Sequence, residues 1–170
     1  QLYGMDRLLA RPRRIVICEG EFDRLVLEAN RIAAVTSTEG AAMFFEEWLP
    51  YFEVVKHVYV CFRRNLAGMA AARKIQELLP HAIIVTLPSD VGESGTITDF
   101  FIGLQRTKLD FEVLLAAAAN AAGDDPDNRP PQIRELRPFH KSVRRRADNV
   151  KRAVRLHDVV ANYTELEARG

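Results

Sequence analysis

The residues able to do chemistry gather where apolar runs end. Ile15–Cys18 is a four-residue apolar run that stops abruptly at Glu19, Gly20, Glu21, Phe22 and Asp23. A carboxylate at the carboxyl end of a buried strand stands where open α/β sheets collect their ligands, so Glu19 is placed to act on one. The alternative is structural, because backbone amides at the N-terminus of a following helix stabilise a carboxylate in any case. Asp23 has the same two readings, a site acid or a helix cap paired with neighbours near Arg24. A second run ends in Thr36, Ser37, Thr38, Glu39 and Gly40, which suit close approach to a phosphate and equally suit a turn. A third ends in Arg63, Arg64, Asn65 and Leu66, just ahead of Gly68. A double arginine beside a glycine-led helix start fits a phosphate oxygen, or is a pair of solvated loop charges.

These positions need a scaffold of buried strands, and the patterning supplies one. Ile15–Cys18 reads as a strand, a sharp turn follows, and Arg24–Ile32 has helical spacing. Ala33–Val35 is a short second strand. Ala41–Trp48 has helical character, with an expected stop before Pro50. Val58–Phe62 is continuously apolar, as in strands of parallel sheets covered on both faces. Beyond the arginine loop an alanine-rich helix runs to Leu79, where Pro80 ends it. Ala82–Leu87 is a fourth strand, and Pro88–Gly95 a polar loop. A helical segment starts at Thr98, Asp99, Phe100 and Phe101, and a further helix covers Asp110–Ala119. Four alternations of strand and helix predict an α/β fold with a central, mainly parallel four-stranded sheet flanked by helices. Gln1–Arg14, which starts without methionine and ends in Arg11, Pro12, Arg13 and Arg14, reads as a connector.

Composition divides the chain. Of its 170 residues, 48% are hydrophobic and 28% charged, as in an ordinary globular protein. The expected domain covers residues 1–119. Residues 120–141 form a linker, where Gly123, Asp124, Asp125, Pro126, Asp127, Asn128, Pro130 and Pro131 leave too little apolar area to order a chain. Residues 142–170 are a basic helical segment, with Val143, Ala147, Val150 and Val154 at helical spacing and cations on the other faces. Net charge is only +1. Yet Arg134, Arg137, Lys141, Arg144, Arg145, Arg146, Lys151, Arg152 and Arg155 are opposed only by Glu135 and Asp148, a balance suited to polyanions or to a solvated face. Cys18 and Cys61 lie inside strands and read as reduced core thiols. His57, His81, His140 and His157 fall at no metal-ligand spacing, so no zinc is expected within the chain. No apolar run reaches the roughly 20 residues of a membrane span and no leader is recognisable, which predicts a cytoplasmic protein without membrane partners.

Four pieces in order carry a family resemblance: Glu19-Gly20-Glu21-Phe22-Asp23 after a strand, a second strand entering a glycine-bearing loop, a third running into Arg64-Asn65-x-Ala67-Gly68, and Thr98-Asp99-Phe100-Phe101. Together they resemble a Toprim domain, of the kind found in bacterial-type DNA primases and primase-like proteins. The resemblance covers the first 119 residues. It implies a Rossmann-like Toprim fold, a nucleotidyltransferase lineage, a role in DNA replication and magnesium as cofactor, because that metal prefers hard oxygen ligands and neutralises charge on a phosphoryl group. The glutamate after the first strand is the general acid or base of such domains, and an Asp-x-Asp pair after the third helps to hold the metal. Glu19 and Asp23 match the first motif, and Asp99 matches one acid of the last. Arg63 and Asn65 stand at the two positions of the Asp-x-Asp pair, and Thr96 where another aspartate is expected. Glu39, Ala42 and Met43 replace residues that are small or glycine in the family.

A guanidinium about 4 Å from a cation is repelled by about 4 kcal/mol per unit charge at an effective dielectric of 20, and a divalent ion doubles this. The resemblance therefore implies a degenerate site with weak or absent magnesium, whose remaining candidate ligands are Glu19, Asn65 and Asp99. Phosphate or nucleic-acid binding then falls to Arg63, Arg64, Lys141, Arg144, Arg145, Arg146, Lys151 and Arg152. Expected partners are single-stranded DNA or RNA, replication proteins, or other domains of a longer parent chain. Two further readings stand beside this one: an active Toprim phosphoryl-transfer enzyme (a primase, or topoisomerase- or nuclease-like) using Glu19 and Asp99, and a protein-interaction module without a nucleic-acid role. Ala147–Val154 and Asp158–Leu166 resemble the lead-in to a primase-type zinc ribbon, which would place the start of such a domain in residues 142–170.

Overall fold

The computed structural model describes residues 1–37 and 44–123. The loop residues Thr38, Glu39, Gly40, Ala42 and Met43, most of the linker, the basic segment with Lys141, Arg144, Arg145, Arg146, Lys151 and Arg152, and the zinc-ribbon-like stretch lie outside the described residues.

Among the described residues, five strands form one sheet in the order β1-β3-β2-β4-β5. The four expected strands are present and mutually parallel: β2 (Arg14–Cys18), β3 (Ala34–Ser37), β4 (His57–Cys61) and β5 (Ala82–Ile84). Gln1–Arg14 is not the expected connector. It holds β1 (Leu2–Tyr3), which pairs antiparallel with β3 at the sheet edge, and α1 (Met5–Leu9). What anchors this segment is a long-range contact that no local pattern announces. Arg24, nearly buried, stacks its guanidinium 4.2 Å over the Tyr3 ring and lies 3.7 Å from Glu28. Gly4, at φ +92°, lies so close to the Arg24 side chain that a Cβ there would collide with it.

β2 and β4 are central and covered on both sides, which explains their unbroken apolar sequences. Ile15, Ile17, Val58 and Val60 face one core, with Trp48, Phe52 and the Ala71–Ala72–Ile75 face of α4 (Leu66–Leu78). Val16, Cys18, Tyr59 and Cys61 face the other, with Leu27 of α2 (Glu21–Ala29), the Phe100–Phe101–Phe111 ring cluster and Leu115 of α5 (Lys108–Ala121). Those rings sit at centroid distances of 5.2–5.8 Å in tilted and edge-on arrangements. The helical expectation for Ala41–Trp48 is corrected within the described residues. Glu46–Trp48 is a single 3-10 turn, and α3 (Leu49–Phe52) begins at Pro50's neighbour instead of stopping there. Proline in a first turn removes an N–H that has no helical partner, so it starts α3 rather than ending a helix. Among the described residues, no helix is long and apolar enough to cross a membrane.

Candidate functional site

Connectivity makes one place in the sheet special. β2 sends its chain through α2 to β3 on one side, whereas β4 sends its chain through α4 to β5 on the other, with α2 and α4 on opposite faces. The carboxyl ends of β2 and β4 therefore flank a topological switch point, where outgoing loops separate and leave a crevice. Cys18 is in register with Cys61, so Glu19 and Arg63 emerge together from adjacent strands. An open pocket of about 480 Å³ lies there, lined by Glu19, Gly20, Glu21, Phe22, Asp23, Arg63, Thr96 and Thr98.

The structure brings Glu19, Asp23 and Arg63 together. Glu19 Oε2 accepts the Arg63 backbone N–H at 2.9 Å, and the Arg63 Nε lies 3.7 Å from Oε1. The helix N-terminus that follows Glu19 is not what satisfies it; the neighbouring strand's loop does. Asp23 sits in the first turn of α2, and its Oδ1 accepts the Thr98 N–H at 2.8 Å and the Thr98 hydroxyl at 2.7 Å. Burial raises the Asp23 carboxyl above the ordinary aspartate range, the Thr98 bonds oppose this, and the Glu19 charge adds to the rise.

Two other acids or donors expected at the site are turned to capping. Asn65 Oδ1 accepts the Gly68 N–H at 2.8 Å as the N-cap of α4. Asp99 Oδ2 accepts both the N–H and the hydroxyl of Thr96 at 2.9 Å, while the Asp99 N–H donates to the Thr96 hydroxyl at 3.1 Å. This is a reciprocal capping box, repeated by Thr107 and Asp110 at the start of α5. Neither Asn65 nor Asp99 lines the pocket. Arg63 is exposed, Arg64 is half-buried, and the Arg64 N–H donates to the Gly95 carbonyl at 3.1 Å, tying the β4 loop to the Thr96 loop. Among the described residues no three His, Cys, Asp or Glu side chains group closely enough to hold a metal ion.

No local pattern marks Thr98 as the partner of Asp23 or Phe22 as an exposed ring. The Thr96-x-x-Asp99 spacing was a legible capping signal; the Asp23–Thr98 pairing, across 75 residues, was not. Cys18 and Cys61 are buried free thiols, as expected, and burial pushes both well above the ordinary thiol range.

No protein-family model matches the chain, and no curated protein matches it. Solved structures do. The DnaG catalytic core is similar at a TM-score of 0.58 and 24% identity, covering 69% of this chain and 39% of that one. A DNA primase domain from Pseudomonas aeruginosa gives 0.56 and 22%, covering 69% and 38%. The DnaG primase catalytic domain bound to single-stranded DNA gives 0.56 and 23%, covering 69% and 39%. The chain thus spans about two fifths of the length of these structures. Their shared layout, with a mixed five-stranded sheet and flanking helices in the present chain, identifies the fold: the described residues adopt the α/β fold of DnaG-type primase catalytic cores, as the resemblance to Toprim domains implies.

Proposed function

We propose that this chain is a primase-like replication module that binds single-stranded DNA or RNA through phosphate contacts, with magnesium-dependent catalysis at Glu19 weak or lost. One observation carries the reading: the cation beside Glu19 is the chain's own Arg63. An exposed ion pair is worth little to stability, so Arg63 is better understood by the charge it brings to the crevice. Magnesium demands near-octahedral hard oxygens, and the residues present do not fit it. Asn65 caps α4, Asp99 closes a capping box outside the pocket, Asp23 holds Thr98, and Glu19 is engaged by Arg63.

The primase fold supports a replication role, and a neighbour of the same fold bound to single-stranded DNA supports the partner class. The basic run with Lys141, Arg144, Arg145, Arg146, Lys151 and Arg152 adds phosphate-binding charge by composition. Replication proteins and other domains of a longer parent chain are partners within the same reading, and the cytoplasm its compartment.

Calorimetry with magnesium and anisotropy with a labelled oligothymidylate test it on the full chain. Binding that persists in a chelator, with log affinity falling linearly in log salt, is expected, together with no specific magnesium heat. A millimolar-or-tighter magnesium site abolished by Glu19→Gln would overturn the loss of the metal. The double substitution Arg63→Asp with Asn65→Asp should create magnesium heat, because aspartate still caps α4 and the competing guanidinium is gone. A double variant no better than the parent would show that these positions do not face the metal site.

A further inference from the structure

Two large apolar side chains stand in solvent at the carboxyl edge of the sheet. Phe22, in the first turn of α2, is 77% exposed, and Leu66, the first residue of α4, is 92% exposed. Of the two, Phe22 lines the pocket at the ends of β2 and β4, together with Arg63. Nothing in the packing needs Phe22 outside: its helix buries Leu27 and keeps Asp23 on Thr98 whatever occupies position 22.

An aromatic ring standing free in the same pocket as Arg63 matches the two demands of a single strand, a flat surface for a base and a cation for the adjoining phosphate. Double-stranded DNA satisfies only the second, because its bases are already stacked. A protein partner would favour a continuous apolar surface, and here Arg63 and Glu19 interrupt it. The Glu19 charge is offset by Arg63 on the same side of the pocket. We infer that Phe22 is a base-stacking platform, so that the switch-point crevice holds one unpaired base of a single strand on Phe22 with the neighbouring phosphate against Arg63. This rests on the nucleic-acid reading above and names the residue that selects single over double strands.

The test is anisotropy of a labelled oligothymidylate and of a duplex of equal length against the full chain. Phe22→Ala should weaken single-strand binding about tenfold, in line with the loss of one stacked base. It should leave the salt slope, the duplex affinity and the thermal midpoint unchanged, since the ring is exposed. Arg63→Gln should instead lower the salt slope by about one. In Phe22→Trp, the new exposed indole should be quenched by oligothymidylate. If the parent binds the single strand but Phe22→Ala binds equally well and Phe22→Trp shows no quenching, the stacking platform is overturned while the nucleic-acid function stands. If the parent binds neither strand form, both fall, and the exposed ring belongs to a protein-docking surface.

Discussion

Glu19 is held by Arg63 twice over, through the backbone N–H at 2.9 Å and through a guanidinium nitrogen at 3.7 Å. The two contacts have different physical weight. The first fixes the spacing between the β2 and β4 loops; the second is a partly exposed ion pair, with side chains 23% and 44% accessible, and solvent screens it.

Glu19→Gln should therefore change stability by less than about 0.5 kcal/mol, because the amide oxygen still accepts the Arg63 N–H and only the screened pair is lost. It should strengthen oligonucleotide binding modestly, since removing the carboxylate leaves Arg63 free for phosphate. Chemical denaturation and anisotropy read the two effects. Weaker binding in Glu19→Gln would mean that Glu19 contacts the ligand or orients Arg63 toward it.

Asp23 gives a pH signature. Its folded-state pKa lies above the ordinary 3.8, so the native state binds the proton more readily than the unfolded chain. Its ionisation therefore works against stability above the raised pKa. As pH falls through the raised value toward 3.8, the parent should gain stability relative to Asp23→Asn, which does not titrate there. At neutral pH Asp23→Asn should be at least as stable as the parent, because its amide oxygen can still accept from Thr98. Asp23→Ala leaves the Thr98 N–H and hydroxyl without that acceptor and should cost about 1–3 kcal/mol. Urea midpoints between pH 4 and 7 check this, and a parent that loses stability relative to Asp23→Asn as pH falls from 7 to 4 would reverse the sign.

The parallel strands were legible because each is an apolar run closed by polar or glycine residues, and burial on both faces demands such a run. β1 was not legible: two residues, Leu2 and Tyr3, carry no periodicity, and their place depends on pairing with Ser37 and Thr36 and on the Arg24–Tyr3 stack. At the site, the carboxyl ends of the apolar runs place Glu19 and Arg63 at neighbouring strand ends, and the structure brings them together. The use of Asn65 as a cap follows from its three-residue spacing to Gly68, a local signal. The Asp23–Thr98 pair and the exposure of Phe22 depend on how distant loops meet, which spacing alone does not specify.

Gly68 offers the sharpest test of the β4 loop. Glycine inside a helix normally costs about 0.5–1 kcal/mol relative to alanine, so an unconstrained Gly→Ala change there stabilises. At position 68 a Cβ would fall on the Arg63 carbonyl oxygen, a backbone atom with no flexible end to swing away. The same N–H that Asn65 caps belongs to Gly68, so relieving the clash by shifting the turn strains the cap as well. Gly68→Ala should thus destabilise by about 1–3 kcal/mol, the usual cost of forcing extra volume into a packed place. Because the displaced carbonyl belongs to Arg63, the variant should also lose single-strand affinity under conditions where it remains folded. A Gly68→Ala protein with a raised thermal midpoint and unchanged affinity would show that the β4 loop yields freely, and that the Glu19–Arg63 geometry is not held from behind by α4.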